Sequence, residues 1–125
     1  MAVVEGQPHE VSGVLRDHLA EDAGLRIRPV RDRRAGKEAI TLYRVVEQRA
    51  QAAVLELSLV TGRRGQLRAQ LAALGHPIVG DRRYGSRRSP IGRVCLHATR
   101  LAFAHPSGRR VSFESPVPPA FRRIV

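Results

Sequence analysis

The stretch 55-LELSLVTGRRGQLRAQLAALGHPIVGD-81 changes period once, and that change decides the fold. Leu55, Leu57 and Leu59 alternate with Glu56 and Ser58, the two-residue period of a half-buried strand. From Gly65 onward Leu67, Leu71 and Leu74 fall at i, i+4 and i+7, which predicts a helix. Gly75 stands where a left-handed cap glycine ends a helix, and Pro77 follows where none can continue. Between the two periods lies Gly62-Arg63-Arg64-Gly65, two guanidiniums between glycines at a strand-to-helix junction.

Upstream, residues 38–48 concentrate β-branched and aromatic side chains and read as a strand. The run 52–60 places Ala53, Leu55, Leu57 and Leu59 on one face, and the two runs are spaced as a hairpin. Residues 2–6 read as a short strand cut off by Gly6 and Pro8; residues 11–20 are ambiguous; residues 24–32 alternate. Residues 31–37 form a basic turn. Downstream, 80–93 is a loop rich in arginine, glycine and proline, and "VCLHATRLAFAHP" and "RRVSFESP" predict strands around "HPSGRR". No repeat or boundary divides the chain, so residues 1–125 are expected to form one domain. Strands with one clear helix make it α+β.

The 125 residues are 42% apolar, enough for a modest core built from Leu, Val, Ile and Ala, since there is no Trp and few other aromatics. Basic residues number 22 against 11 acidic, a formal charge of +11, and all but Lys37 are Arg. A compositional bias explains the choice of Arg over Lys but not the net excess, which points to a polyanionic partner. Cys95 is alone, so neither a disulfide framework nor a thiolate zinc site is expected. No apolar run is long enough for a membrane span and residues 1–10 lack the marks of a signal peptide; a cytoplasmic protein with no membrane partner is expected.

A Walker A loop would need Lys and then Ser or Thr after its second glycine, where this chain has Gln66 and Leu67. G-x-x-G is also the clamp of KH domains, but that clamp joins two helices and here a strand leads in. Two readings stand: a plain turn with solvated arginines, or a phosphate site in which Arg63, Arg64 and Arg68 converge near the helix start.

Three segments, "TGRRGQLRAQLAALGHPIVGDRRYG", "CLHATRLAFAHPSG" and "VSFESPVPPAF", closely resemble the C-terminal half of RluA-type RNA pseudouridine synthases. That family's pattern runs T-G-R-x-H-Q-[IL]-R, G-H-P-[IL]-x-G-D-x-x-Y-G, L-H-A-x-x-L-x-F-x-H-P and F-x-x-P-x-P-x-x-F. "GKEAITLYRVVE" and "AVVEG" resemble its G-K-x-A-x-T-x-Y-x-V and A-x-V-x-G, so the resemblance covers essentially the whole chain in order. It implies part of a pseudouridine synthase catalytic domain, with a mixed, mainly antiparallel sheet. It also implies isomerisation of uridine in ribosomal or transfer RNA without metal or organic cofactor, the target nucleotide being flipped into a pocket.

The family's catalytic Asp lies in an H-R-L-D segment, and a pocket Tyr in a K-x-Y before A-x-V-x-G; neither motif occurs in this sequence. Asp17, Asp22, Asp32 and Asp81 have no such context; Asp81 matches a position expected to hold a turn through backbone N–H groups. No catalytic residue is therefore assigned. The resemblance places Arg68 beside the catalytic carboxylate, keeping it ionised, and Leu67 in the pocket wall. The family's His is Gly65 here, which loosens the backbone and removes a polar contact.

Arg63, Arg64, Gln66, Arg68, Arg82 and Arg83 are the residues expected to meet structured RNA. Arg82, Arg83, Arg87 and Arg88 either follow an RNA backbone or form a solvated loop. The spacings of His76, His97, His105 and Cys95 match no common zinc pattern, so no metal is expected. Tyr84 is expected to pack in its turn. Three outcomes remain open: an enzyme half active with its N-terminal complement, a non-catalytic RNA-binding module, or a fragment without a role. Exposed apolar sheet surface, self-association or a complementing partner is the expected structural consequence.

Overall fold

The computed structural model describes residues 1–87 and 94–96, and the backbone alone of 100–104 and 110–114. The strands are β1 (Ala2–Glu5), β2 (Ser12–Glu21), β3 (Ile27–Val30), β4 (Lys37–Gln48), β5 (Ala52–Leu59), β6 (Arg100–Ala104) and β7 (Arg110–Glu114). Among the described residues one α-helix, α1 (Gln66–Ala73), follows β5, and a 3-10 turn occupies Arg82–Tyr84. The first five strands form one sheet in the order β1-β5-β4-β2-β3, and β6 pairs with β7 separately. Every pairing between these strands is antiparallel. Residues 105–109 of the turn "HPSGRR", His97 and the proline-broken tail lie outside the described residues.

The ambiguous segment 11–20 is β2, paired with β4 from Ser12↔Arg44 to Leu19↔Lys37. The expected hairpin is β4–β5, with a register shift between Val45 and Glu47. Leu15, Leu19, Ala39, Thr41 and Tyr43 turn inward, and a main core joins Leu15, Tyr43, Leu55, Leu71, Ile78 and Val79. A smaller core joins Leu19, Ile27, Ala39 and Ala69.

Two apolar stripes differ from expectation. On β5, Ala52 to Leu55 are all buried, while Leu59 is 54% exposed. The cause is register: β1 reaches only from Ala52 to Leu55, so among the described residues β5 is an uncovered edge beyond that point. On α1 the buried positions are Gln66, Ala69, Gln70 and Leu71, while Leu67 is half-buried and Leu74 40% exposed. The helix presents glutamines to the sheet because polar groups there await them.

The helix end is as expected. Gly75 at φ 96 donates its N–H to the Ala72 carbonyl and His76 donates to Leu71, a Schellman ending that a left-handed residue makes possible. The chain then turns back along β1, where Val79 donates to the Val3 carbonyl and Glu5 to the Pro77 carbonyl. Among the described residues no helix is long and apolar enough to cross a membrane.

Candidate nucleic-acid interface

The loop after β5 is built from inside by polar side chains. Thr61 Oγ1 accepts the Ile40 N–H at 2.8 Å and donates to Gln66 Oε1 at 2.8 Å, which also accepts the Arg63 N–H at 3.0 Å. Gln66 Nε2 donates to the Ile40 carbonyl and to Thr41 Oγ1, which donates to Gln70 Oε1 at 2.6 Å. Gln70 Nε2 lies within hydrogen-bond distance of the Leu15 and Ala39 carbonyls and Asp17 Oδ2. No buried side-chain nitrogen or oxygen among the described residues lacks a partner, as such a network requires. Gln66, expected to face RNA, is 3% exposed and holds the loop instead. Nothing in the sequence singles out Gln70 beyond its i, i+4 spacing from Gln66 on the helix, and Thr41 and Thr61, though they stand inside the quoted motifs, carry no mark of this role there.

Gly65 enters the helix at φ 67, and a Cβ there would stand 3.0 Å from Ile27 Cγ1. A histidine at this position would hold a left-handed backbone and push Ile27 from the smaller core, so glycine suits the loop as this chain folds it.

The convergence expected for Arg63, Arg64 and Arg68 is partial. Arg63 and Arg64 line a groove with Leu19, Ala20, Glu21, Ile27, Arg34 and Lys37, and Arg68 does not. Arg63 Nε donates to the Glu38 carbonyl at 3.0 Å, and Arg64 pairs with Glu21.

Arg68 makes a bidentate pair with Asp81, Nε to Oδ2 at 2.9 Å and Nη2 to Oδ1 at 2.8 Å. This corrects the expected role of Asp81: its carboxylate, 1% exposed, holds a guanidinium rather than backbone N–H groups. The turn is held through its backbone carbonyl, which accepts from the N–H groups of Tyr84 and Ser86. The hydrogen bond to Asp81 raises the pKa of Arg68 above its ordinary value, outweighing the opposing effect of desolvation.

Tyr84 packs between two arginines, the Arg68 guanidinium 5.0 Å and that of Arg26 5.5 Å from its ring centroid. Its hydroxyl accepts the Ile27 N–H and donates to the Ile27 carbonyl, each at 3.0 Å. Since β3 is an edge strand, this one hydroxyl closes both outward backbone groups of Ile27. Arg83 donates to the Gly24 carbonyl at 2.6 Å, and Arg26 to the Arg83 carbonyl at 2.7 Å, tying the 3-10 turn to the β2–β3 connection. Arg82 is exposed; Arg88 lies outside the described residues. Among the metal candidates, His76 Nδ1 is 2.8 Å from the Glu5 carbonyl, Cys95 is buried, and His97 and His105 are not described.

An antiparallel sheet, one helix set against it through glutamines, and a rim of arginines around β3 define an α+β protein with a strongly cationic edge. The sequence profile described as RNA pseudouridylate synthase matches residues 1–73, more than half of the chain, and the protein belongs to that family. The chain is 36% identical over 119 residues to the ribosomal large subunit pseudouridine synthase D of Neisseria meningitidis, covering 85% of this chain and 32% of that protein. It is 41% identical over 122 residues to an uncharacterized RNA pseudouridine synthase of Chloroflexus aurantiacus, covering 94% and 37% respectively. The chain thus spans well under half the length of these relatives. The structure of human RNA Pseudouridylate Synthase Domain Containing 1 superimposes with a TM-score of 0.80 at 25% identity, over 92% of this chain and 52% of that one. Human RNA Pseudouridylate Synthase Domain Containing 4, at TM-score 0.75 and 23% identity, shares the fold.

Proposed function

We propose that this chain is the C-terminal portion of a pseudouridine synthase catalytic domain, binding structured ribosomal or transfer RNA through Arg63, Arg64, Arg82 and Arg83. Arg68 is its contribution to the pocket, beside a carboxylate that an H-R-L-D segment supplies, with Leu67 in the wall. The observation that carries this reading is the setting of Arg68. Asp81 and Tyr84 fix the guanidinium on two sides, and its side chain is still 39% exposed. With Nε and one Nη2 hydrogen directed at Asp81, both Nη1 hydrogens and the other Nη2 hydrogen remain for a second acceptor.

By itself the chain holds RNA in the cytoplasm, without cofactor or metal, and does not isomerise uridine. The test is incubation of the chain with a structured ribosomal RNA fragment, scoring retention of the RNA and carbodiimide-reactive uridine together. Expected are salt-sensitive retention and no product; product from the chain alone, or no retention at low salt, contradicts the reading.

A specific observation favours an enzyme half that works with its complement. β1 runs antiparallel to β5 with Ala2 opposite Leu55, and the edge from Leu57 to Leu59 has no strand beside it among the described residues. A segment continuing β1 toward its N-terminal side falls in register with Leu57 and Leu59. The exposed cross-strand pair Val14 and Leu42, 57% and 42% exposed, offers apolar surface to the same kind of partner or to a second copy.

A further inference from the structure

We propose that the groove between the β3–β4 turn and the Gly62–Arg64 loop seats one phosphodiester strand of a folded RNA, held from opposite walls by Arg34 and Lys37 and by Arg63 and Arg64. This rests on the RNA-binding reading above and names the contact that reading lacks. The groove encloses about 660 Å³ and draws its walls from segments far apart in sequence. Gly36 brings the turn down onto β2, where a Cβ would stand 3.0 Å from the backbone of His18 and Leu19 and 2.7 Å from Val30 Cγ2. Gly62 has nothing within 4 Å of its Cβ position, so that wall is open to a close approach of another backbone.

Charge decides what fits. The described carboxylates that form ion pairs take other partners: Asp22 holds Arg26 and Arg28, Glu56 holds Arg44, Glu47 holds Arg49, and Asp81 holds Arg68. Among the described residues Glu21 is the one carboxylate lining the groove, and it is paired with Arg64. Arg34, Lys37 and Arg63 line it with no ion pair to a described residue. Among the described lining residues, four cations against one anion leave three positive charges unneutralised, a field that a chain of phosphates neutralises best.

Among the described residues no aromatic side chain lines the groove, so they supply no stacking platform of the kind that single-strand readers use. Leu19, Ala20 and Ile27 form an apolar floor with nothing to read a base edge. The groove therefore holds the backbone edge of a paired region, positioning the RNA without reading its sequence.

The test is fluorescence anisotropy of a labelled RNA stem-loop with the full chain across a salt series, comparing Arg34→Gln, Lys37→Gln and, away from the groove, Arg16→Gln. Arg34 and Lys37 are exposed and their side chains make no hydrogen bond to a described residue, so these variants are expected to fold, which circular dichroism verifies. Each groove variant is expected to lower the slope of log K against log salt by about 0.9, which is about eightfold weaker binding near 0.1 M salt. Arg16→Gln is expected to lie close to wild type. Groove variants that match Arg16→Gln while wild type binds tightly overturn the groove and leave the RNA reading standing. No binding by wild type at any salt overturns both.

Discussion

Arg68→Ala is expected to lower the unfolding free energy by about 3–5 kcal/mol, because it leaves the Asp81 carboxylate buried without a counter-charge. Asp81 is 1% exposed and cannot turn to water, whereas the Arg68 side chain is 39% exposed and can. The pair is therefore asymmetric: Asp81→Ala should cost clearly less than Arg68→Ala. Adding Asp81→Asn to Arg68→Ala removes the stranded charge and should restore a large part of the loss. A domain of this size has about 5–15 kcal/mol in total, so Arg68→Ala alone brings the fold near its limit. Urea unfolding followed by circular dichroism measures all four proteins. Equal losses in Arg68→Ala and the double variant would show that the buried charge is not the cause. The same comparison bears on the proposed role of Arg68, because Asp81 and Tyr84 are the groups that set the place of its guanidinium.

Gln70→Glu, nearly isosteric, is expected to cost about 3 kcal/mol at pH 7. Gln70 Oε1 accepts from Thr41, and that bond survives the change. The other end of the side chain faces only acceptors: the Leu15 carbonyl, the Ala39 carbonyl and Asp17 Oδ2. An amide donates there, but a carboxylate meets three oxygens and has no hydrogen to offer. The introduced acid is therefore held protonated, with a folded-state pKa raised above its unfolded value. A raised acid pKa binds the proton more tightly in the folded state, so the variant approaches wild type at low pH. Its deficit opens as pH rises from about 4 through the folded pKa. A deficit independent of pH between about 4 and 7 contradicts this account of the network.

Much of the sheet and the end of the helix are legible in the sequence because each rests on local chemistry. The β-branched run of β4 and the Gly75–Pro77 ending are dictated within a few residues, and only Gly sits comfortably at φ 96. β2 is not, since Gly13, Asp17 and His18 interrupt its alternation and only pairing with β4 settles it. The buried face of α1 is misread for a physical reason: glutamine counts as solvent-facing in any periodicity, yet Gln66 and Gln70 complete hydroxyls and carbonyls of strands 25 to 55 residues away. Leu59 is exposed because β1 stops short of it in register, a fact of pairing and not of composition.

The site divides along the same line. The arginines flanked by Gly62 and Gly65 stand out by themselves, whereas Arg34 and Lys37 meet them only once Gly36 lets the turn close on β2. The Arg68–Asp81 pair spans 13 residues and lies inside a motif that resemblance picks out, but nothing in spacing alone joins the two side chains.

The most direct measurement is to add to this chain a polypeptide carrying an H-R-L-D segment, and to assay uridine isomerisation in structured RNA. The expected result is carbodiimide-reactive product from the mixture and from neither part alone, abolished by Arg68→Ala in a variant verified as folded. Product from this chain alone, or full activity of the mixture with Arg68→Ala, would contradict the account.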